Sequence, residues 1–167
     1  MNKKVFQLLV DNTSGVLSRI SGLFSRRGYN IESITAGVTA DPRYTRITIV
    51  ASGDDEVLDQ IEKQVEKLVD VRSIKILEPN ESVFYELCLV KVEVTPVIRQ
   101  GIIAIGNLFH CKSVDVTPTS MIFEITGNTD KIESFLTMLD GYKILELART
   151  GITGLSRGDS DVVWLDD

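Results

Sequence analysis

The sequence predicts an α+β chain made of two successive β-α-β-β-α-β units. Three observations lead there. Short β-prone segments with apolar residues at every second position recur along the chain. Between them lie segments whose apolar residues fall three and four apart, the mark of one apolar helical stripe. The order strand, helix, strand, strand, helix, strand is completed twice, on either side of the polar, proline-containing break "EPNES" at 78–82.

In the first unit, residues 3–10 form a strand. Residues 14–27 form a helix on Val16, Leu17, Ile20, Leu23 and Phe24, and Gly28 ends it as a left-handed cap. "NIESITAGVTA" (30–40) is a half-buried strand, "DPRY" (41–44) a turn, and "TRITIVASG" (45–53) a third strand. Val57, Leu58, Ile61, Val65 and Leu68 make the stripe of a second helix, and Asp54, Asp55 and Glu56 favour its positive end. "VRSIKIL" (71–77) closes the unit. This is a split βαβ, ferredoxin-like arrangement, with both helices on one face of a four-stranded antiparallel sheet in the order 4-1-3-2. The second unit repeats it. A strand at 83–95 leads to a helix over 97–110, two strands in "SVDVTP" and "MIFEITG", a helix capped by Thr129 or Asp130, and a final strand at 143–150. The expected division is 1–77, 83–158 and an acidic tail, 159–167.

The bulk composition narrows the function. The chain has 167 residues, with 43% hydrophobic and 25% charged, an ordinary globular mix. Residues 1–78 are charge-balanced, so the net charge of −6 lies in the remainder. Such a chain is poorly suited to nucleic acid, which is gripped through Lys and Arg. Cys88 and Cys111 sit in apolar settings without metal-ligand spacing and read as reduced, buried thiols. No metal site is expected. The apolar run at the N-terminus is too short for a signal or a membrane span, so a soluble, cytoplasmic protein is expected, with no membrane partner.

Catalytic constellations are missing. His110, the single histidine, sits near a helix end and reads as a capping or surface residue. No GxGxxG, P-loop or GxSxG occurs, and "GITGLSRG" (151–158) lacks the Lys and Ser/Thr that end a P-loop. A small acyl-phosphate hydrolase is a competing class, but loop 11–15 carries no Arg. No catalytic residue is assigned.

The informative stretch is "DNTSGVLSRISGLFSRRGYNIESI" (11–34). Asn12, Thr13 and Ser14 are all good N-caps. Gly15 then needs a reason, because glycine in a first helical turn costs about 1 kcal/mol against alanine. Close approach of a ligand to bare N–H groups would supply one. A helix N-terminus suits a carboxylate, and an Asn side chain can donate to a carboxylate or accept from an ammonium. A plain tight turn explains the same residues, and local chemistry leaves both readings open.

"LLVDNTSGVLSRISGLFSRRGYNIESI" resembles the N-terminal ACT domain of the regulatory, small subunits of acetolactate synthase (acetohydroxyacid synthase). The likeness continues through "RITIVASGDDEVLDQIEKQVEKLVDV", "ELCLVKV", "SVDVTP" and "ARTGITGLSRG". It covers nearly the whole chain and is weakest over 97–110. It implies a non-catalytic feedback sensor, dimeric through its ACT domains, that binds a branched-chain amino acid, usually valine, at the subunit interface. It also implies a catalytic large subunit as partner, which would carry thiamine diphosphate, Mg and FAD; no cofactor is expected in this chain. The family's effector residues match Asn12 and Gly15 on one chain and Asn30 and Ile31 on its neighbour. Asp11, Ser14 and Val16 are added as neighbours on geometry. Arg19, Arg26 and Arg157 are candidate contacts for the large subunit, and "VVWL" (162–165) could dock a partner or a second copy. A free-standing ACT sensor acting on another enzyme or a transcription factor is the alternative.

Overall fold

The structure, a computed structural model, describes residues 1–163. Trp164 and Leu165 of the "VVWL" segment lie outside the described residues. The chain falls into two compact units, Met1–Val83 with Ile152 onward, and Phe84–Gly151.

The first unit contains β1 (Asn2–Asp11), α1 (Val16–Arg27), β2 (Asn30–Val38), β3 (Tyr44–Gly53), α2 (Asp55–Glu66) and β4 (Val71–Ile76). The sheet order is β2-β3-β1-β4, all antiparallel. Alternation sends Phe6, Leu8 and Val10 of β1 to one face with Ile47 and Ile49 of β3. The helices close over that face with Ile20, Leu23 and Phe24 of α1 and Leu58, Ile61 and Val65 of α2. Phe24 meets Tyr29 edge to face at 5.7 Å. Gly28 ends α1 at φ 68°, donating to Ser25 O while Tyr29 N–H donates to Phe24 O, as the sequence predicts.

The start of α1 differs from expectation. None of Asn12, Thr13 or Ser14 caps it. The N-cap is Gly15, left-handed at φ 84°, without a side-chain cap, and the helix begins at Val16. Asn12 is drawn away to the 41–45 turn, which takes its side chain instead.

The opposite sheet face is buried as well, although it is rich in polar groups: Gln7 is 1% exposed and Thr48 2%. The chain returns to this unit at Ile152, and a ninth strand, β9 (Thr153–Ser156), follows where the sequence suggested only a glycine-rich stretch. The returning segment is held by side chains of the sheet. Thr35 Oγ1 donates to Ile152 O at 2.9 Å, and Gln7 Nε2 donates to Gly154 O. Lys75 Nζ donates to Ser156 Oγ at 3.0 Å and pairs with Asp161 at 3.1 Å. The second compact unit thus ends at Gly151, and residues from Ile152 onward pack with the first unit.

The second unit holds β5 (Ser82–Glu93), α3 (Arg99–Leu108), β6 (Lys112–Val116), β7 (Ser120–Gly127), α4 (Thr129–Met138) and β8 (Ile144–Arg149). Its order, β6-β7-β5-β8, repeats the first. Val90, Val92, Ile102, Phe123, Ile125, Ile132 and Phe135 form its core. Asn128, not Thr129 or Asp130, caps α4, accepting from Lys131 N–H at 2.9 Å. Glu86 is a buried carboxylate satisfied by Arg149 at 3.2 Å and the Thr129 hydroxyl at 2.8 Å. Cys88 and Cys111 are free thiols, and burial pushes Cys111 up to about 11. His110 is exposed and adopts φ 54° just past α3. No helix among the described residues is long and apolar enough to cross a membrane.

Two outcomes follow. Phe24→Ala should lower stability by about 3–5 kcal/mol, read as a fall in urea midpoint. The Asp161 carboxyl is held below its usual range by the Ser156 hydroxyl and then by Lys75. Its contribution is therefore present above the ordinary aspartate value of about 4 and is lost as pH falls through the depressed one. Amide exchange across 152–158, corrected for intrinsic rates, should rise over that acid range and should rise less in Lys75→Met.

Candidate effector-binding site

A cleft of about 350 Å³ opens where β1 hands over to α1. Its apolar floor is Val10 and Ile47, both fully buried, with Val16 above them. Asn12 and Thr45 form a polar side, and Gly15 and Leu17 bring the start of α1 to the opening. The first helical hydrogen bond runs from Arg19 N–H to Gly15 O, so the N–H groups of Val16, Leu17 and Ser18 precede the ladder. With no side-chain cap, this end of α1 offers donors and a positive dipole end to the cleft.

Asn12 is rigidly held. Its N–H donates to Arg43 O at 2.7 Å, its Nδ2 to Pro42 O at 2.9 Å, and its Oδ1 accepts from the Thr45 hydroxyl at 3.2 Å. A carbonyl only accepts, so Pro42 fixes which end of the amide is nitrogen. One Nδ2 hydrogen remains for a ligand.

Gly15 has two reasons to be glycine. Its φ of 84° disfavours any L side chain, and an added Cβ would meet the Arg19 guanidinium at 3.0 Å. What approaches the bare backbone is thus a side chain of the same helix. Arg19 in turn pairs with Asp70.

The charged groups around the cleft are matched in pairs. Asp11 takes a two-pronged bond from Arg72 at 2.7 and 2.8 Å, Arg19 is bonded to Asp70, and Arg43 to Asp41. Each pairing raises the guanidinium or lowers the carboxyl: Arg72 is raised by Asp11, Arg19 by Asp70, and Asp41 lowered by Arg43. The cleft thus offers oriented hydrogen bonds and apolar contact rather than an unpaired charge. It presents no nucleophile–base pair.

Of the residues singled out from sequence, Asp11, Asn12, Gly15 and Val16 line this cleft, and Ser14 does not. Asn30 and Ile31 are elsewhere. Asn30 faces Ser52 on β3, and Ser52 faces Lys3 on β1, whereas Asp11 faces Tyr44. Eight strand positions separate the rows of Lys3 and Asp11, about 26 Å at 3.3 Å per residue. Within one chain the two sets lie at opposite ends of the sheet. Thr45 and Ile47 were not singled out. Only the pairing of β1 with β3 brings them to the loop, and no local motif announces it.

Comparison with known proteins accords with this architecture. Residues 6–73 match the family model described as AHAS small subunit-like ACT domain, and residues 85–158 the model described as small subunit of acetolactate synthase. The acetolactate synthase isozyme 3 small subunit of Salmonella typhimurium is 45% identical over 158 residues, covering 94% of this chain and 97% of that protein. That of Escherichia coli is 43% identical over 158 residues, covering 94% and 97%. The crystal structure of the acetolactate synthase small subunit from Thermotoga maritima superimposes with a TM-score of 0.88 at 37% identity, covering 95% of this chain and 99% of that one.

Gly15→Ala should cost about 1–2 kcal/mol through its backbone angle. Adding Arg19→Ala should not restore the loss, because the angle stays; a thermal melt of both variants checks this. With both halves matched and relatives above 40% identity spanning nearly its full length, the chain belongs to the family of acetolactate synthase small subunits.

Proposed function

We propose that this chain is the regulatory subunit of an acetolactate synthase. It raises the activity of a thiamine-diphosphate-dependent catalytic subunit and makes that activity sensitive to branched-chain amino acids, valine foremost. The observation that carries the sensor half is the cleft at the start of α1. It combines uncapped helix N–H groups, a fixed Asn12 amide and an apolar floor of Val10 and Ile47. That set suits the carboxylate and branched side chain of a small amino acid.

The site is completed by a second copy. Strand β2 is an edge, paired only with β3 in its sheet, and it exposes Ile34 and Val38. Edge pairing of two β2 strands about a twofold axis removes both edges. It also runs the Asn30 end of one strand toward the Val38 end of the other. Val38 faces Thr45, beside the cleft. This brings Asn30 and Ile31 of a second copy toward Asn12 and Gly15. A ligand held between copies biases the dimer by its differential affinity for two arrangements, which is the physical requirement for feedback.

A tagged chain should copurify with a large thiamine-diphosphate enzyme and raise its activity, and valine should reverse the gain. Ile34→Lys, which puts like charges near the twofold axis, should shift the protein toward monomer in sedimentation. It should abolish valine binding in calorimetry although no cleft residue is changed. A monomeric Ile34→Lys that binds valine as the parent does would overturn the shared site.

A further inference from the structure

Arg19, Arg43 and Arg72 each meet a carboxylate; Arg46 does not. It stands on β3, on the sheet face turned away from the helices, with Leu9 of β1 between it and Ser73 of β4. One of its N–H groups donates to Gln7 Oε1 at 3.1 Å, and its others have no partner among the described residues. A cavity of about 140 Å³ opens beside it, between the sheet and the returning segment. Lys75 and Asp161 also line it, but they are paired with each other at 3.1 Å, and Asp161 accepts from Ser156 Oγ at 2.7 Å besides. The lining is therefore left with one positive charge in excess, on Arg46. Ser73 adds a hydroxyl with no hydrogen bond among the described residues, and Leu155, Val162 and Val163 form an apolar wall.

Size, charge and wall together select a ligand class. The cavity is several times the roughly 30 Å³ of one liquid water and smaller than the about 300 Å³ at which sites for drug-sized molecules begin. A single excess charge matches a monoanion, whereas Asp161 would repel a dianion more strongly. The planar guanidinium fork fits a carboxylate on two prongs. The apolar wall favours a short hydrocarbon end on that carboxylate. We propose that this cavity is a binding site for a short-chain monocarboxylate, held by Arg46 and Ser73 and packed against Leu155, Val162 and Val163. It shares no residue with the cleft at the start of α1. Because its charge belongs to the sheet and its wall to the returning segment, the bound anion fastens one to the other.

The test titrates the isotope-labelled, full-length protein with propanoate at constant ionic strength, with chloride as the balancing anion and phosphate in a parallel series. The backbone amide signals of Leu155 and Ser156 should shift along a saturating curve in the millimolar range, as a ligand of a few heavy atoms allows. Phosphate should bind more weakly. Arg46→Met should abolish saturation. Arg46→Lys, which still has a donor for Gln7 but lacks the two-pronged fork, should weaken propanoate about tenfold. Asp161→Asn keeps an acceptor for Lys75 and Ser156 and removes the opposing charge, so it should tighten propanoate about threefold. A parent protein without saturable shifts, an Arg46→Lys that binds as the parent does, or tighter binding of phosphate than of propanoate overturns the proposal. So do shifts confined to Asn12 and Thr45, which would put the carboxylate in the cleft at the start of α1 instead.

Discussion

The unbroken antiparallel pairing of β1 with β3 is the constraint on which the rest depends. Ten consecutive residue pairs, Asn2 with Gly53 through Asp11 with Tyr44, lock the two central strands of the first sheet in one register. A slip of one residue would turn every buried side chain to the wrong face. The same register puts Thr45 and Ile47 under the loop that leaves β1, and Ser52 at the far end beside Asn30. The cleft and its counterpart are thus two ends of one rigid ruler. Their separation keeps one chain from bringing Asn12 and Gly15 together with Asn30 and Ile31.

Much of this was legible in the sequence. Period-two and three-and-four spacing gave all eight core strands and four helices of the two units, because each buries one face against one core. The edge position of β2 followed from chain order and crossover handedness. Less legible were features set by partners distant in sequence. Asn12 is a good N-cap by type, yet Pro42, Arg43 and Thr45 compete for it and win, leaving Gly15 to start the helix. Strand β9 was hidden because "TGLS" carries no apolar alternation; it is held by Gln7, Thr35 and Lys75, side chains more than one hundred positions away or, for Lys75, on β4. Asn30 and Ile31 came from family resemblance alone. Nothing in their local pattern distinguishes them from the opening of any half-buried strand.

Gly15 shows how one residue can satisfy two requirements. Its left-handed backbone turns the chain from strand to helix and leaves the first N–H groups uncapped. Its missing side chain lets the Arg19 guanidinium lie against it and reach Asp70. Fixing the loop from outside keeps the cleft open inside. The ion pairs around the cleft work similarly. By neutralising Asp11, Arg19 and Asp41 locally, they leave the directional fields of the helix start and the Asn12 amide as the main polar features of the cleft.

The return of the chain at Ile152 bears on how the protein is made. The segment that satisfies Gln7, Thr35 and Lys75 is synthesised 147, 117 and 81 residues after them. At a synthesis rate of about 5–20 residues per second, several seconds separate Lys75 from its partners. During that interval the first sheet can close over its helices but not over its polar face. The nascent chain thus carries a half-finished module until residues 152–161 emerge, and a chain stopped before Ile152 leaves that face uncovered.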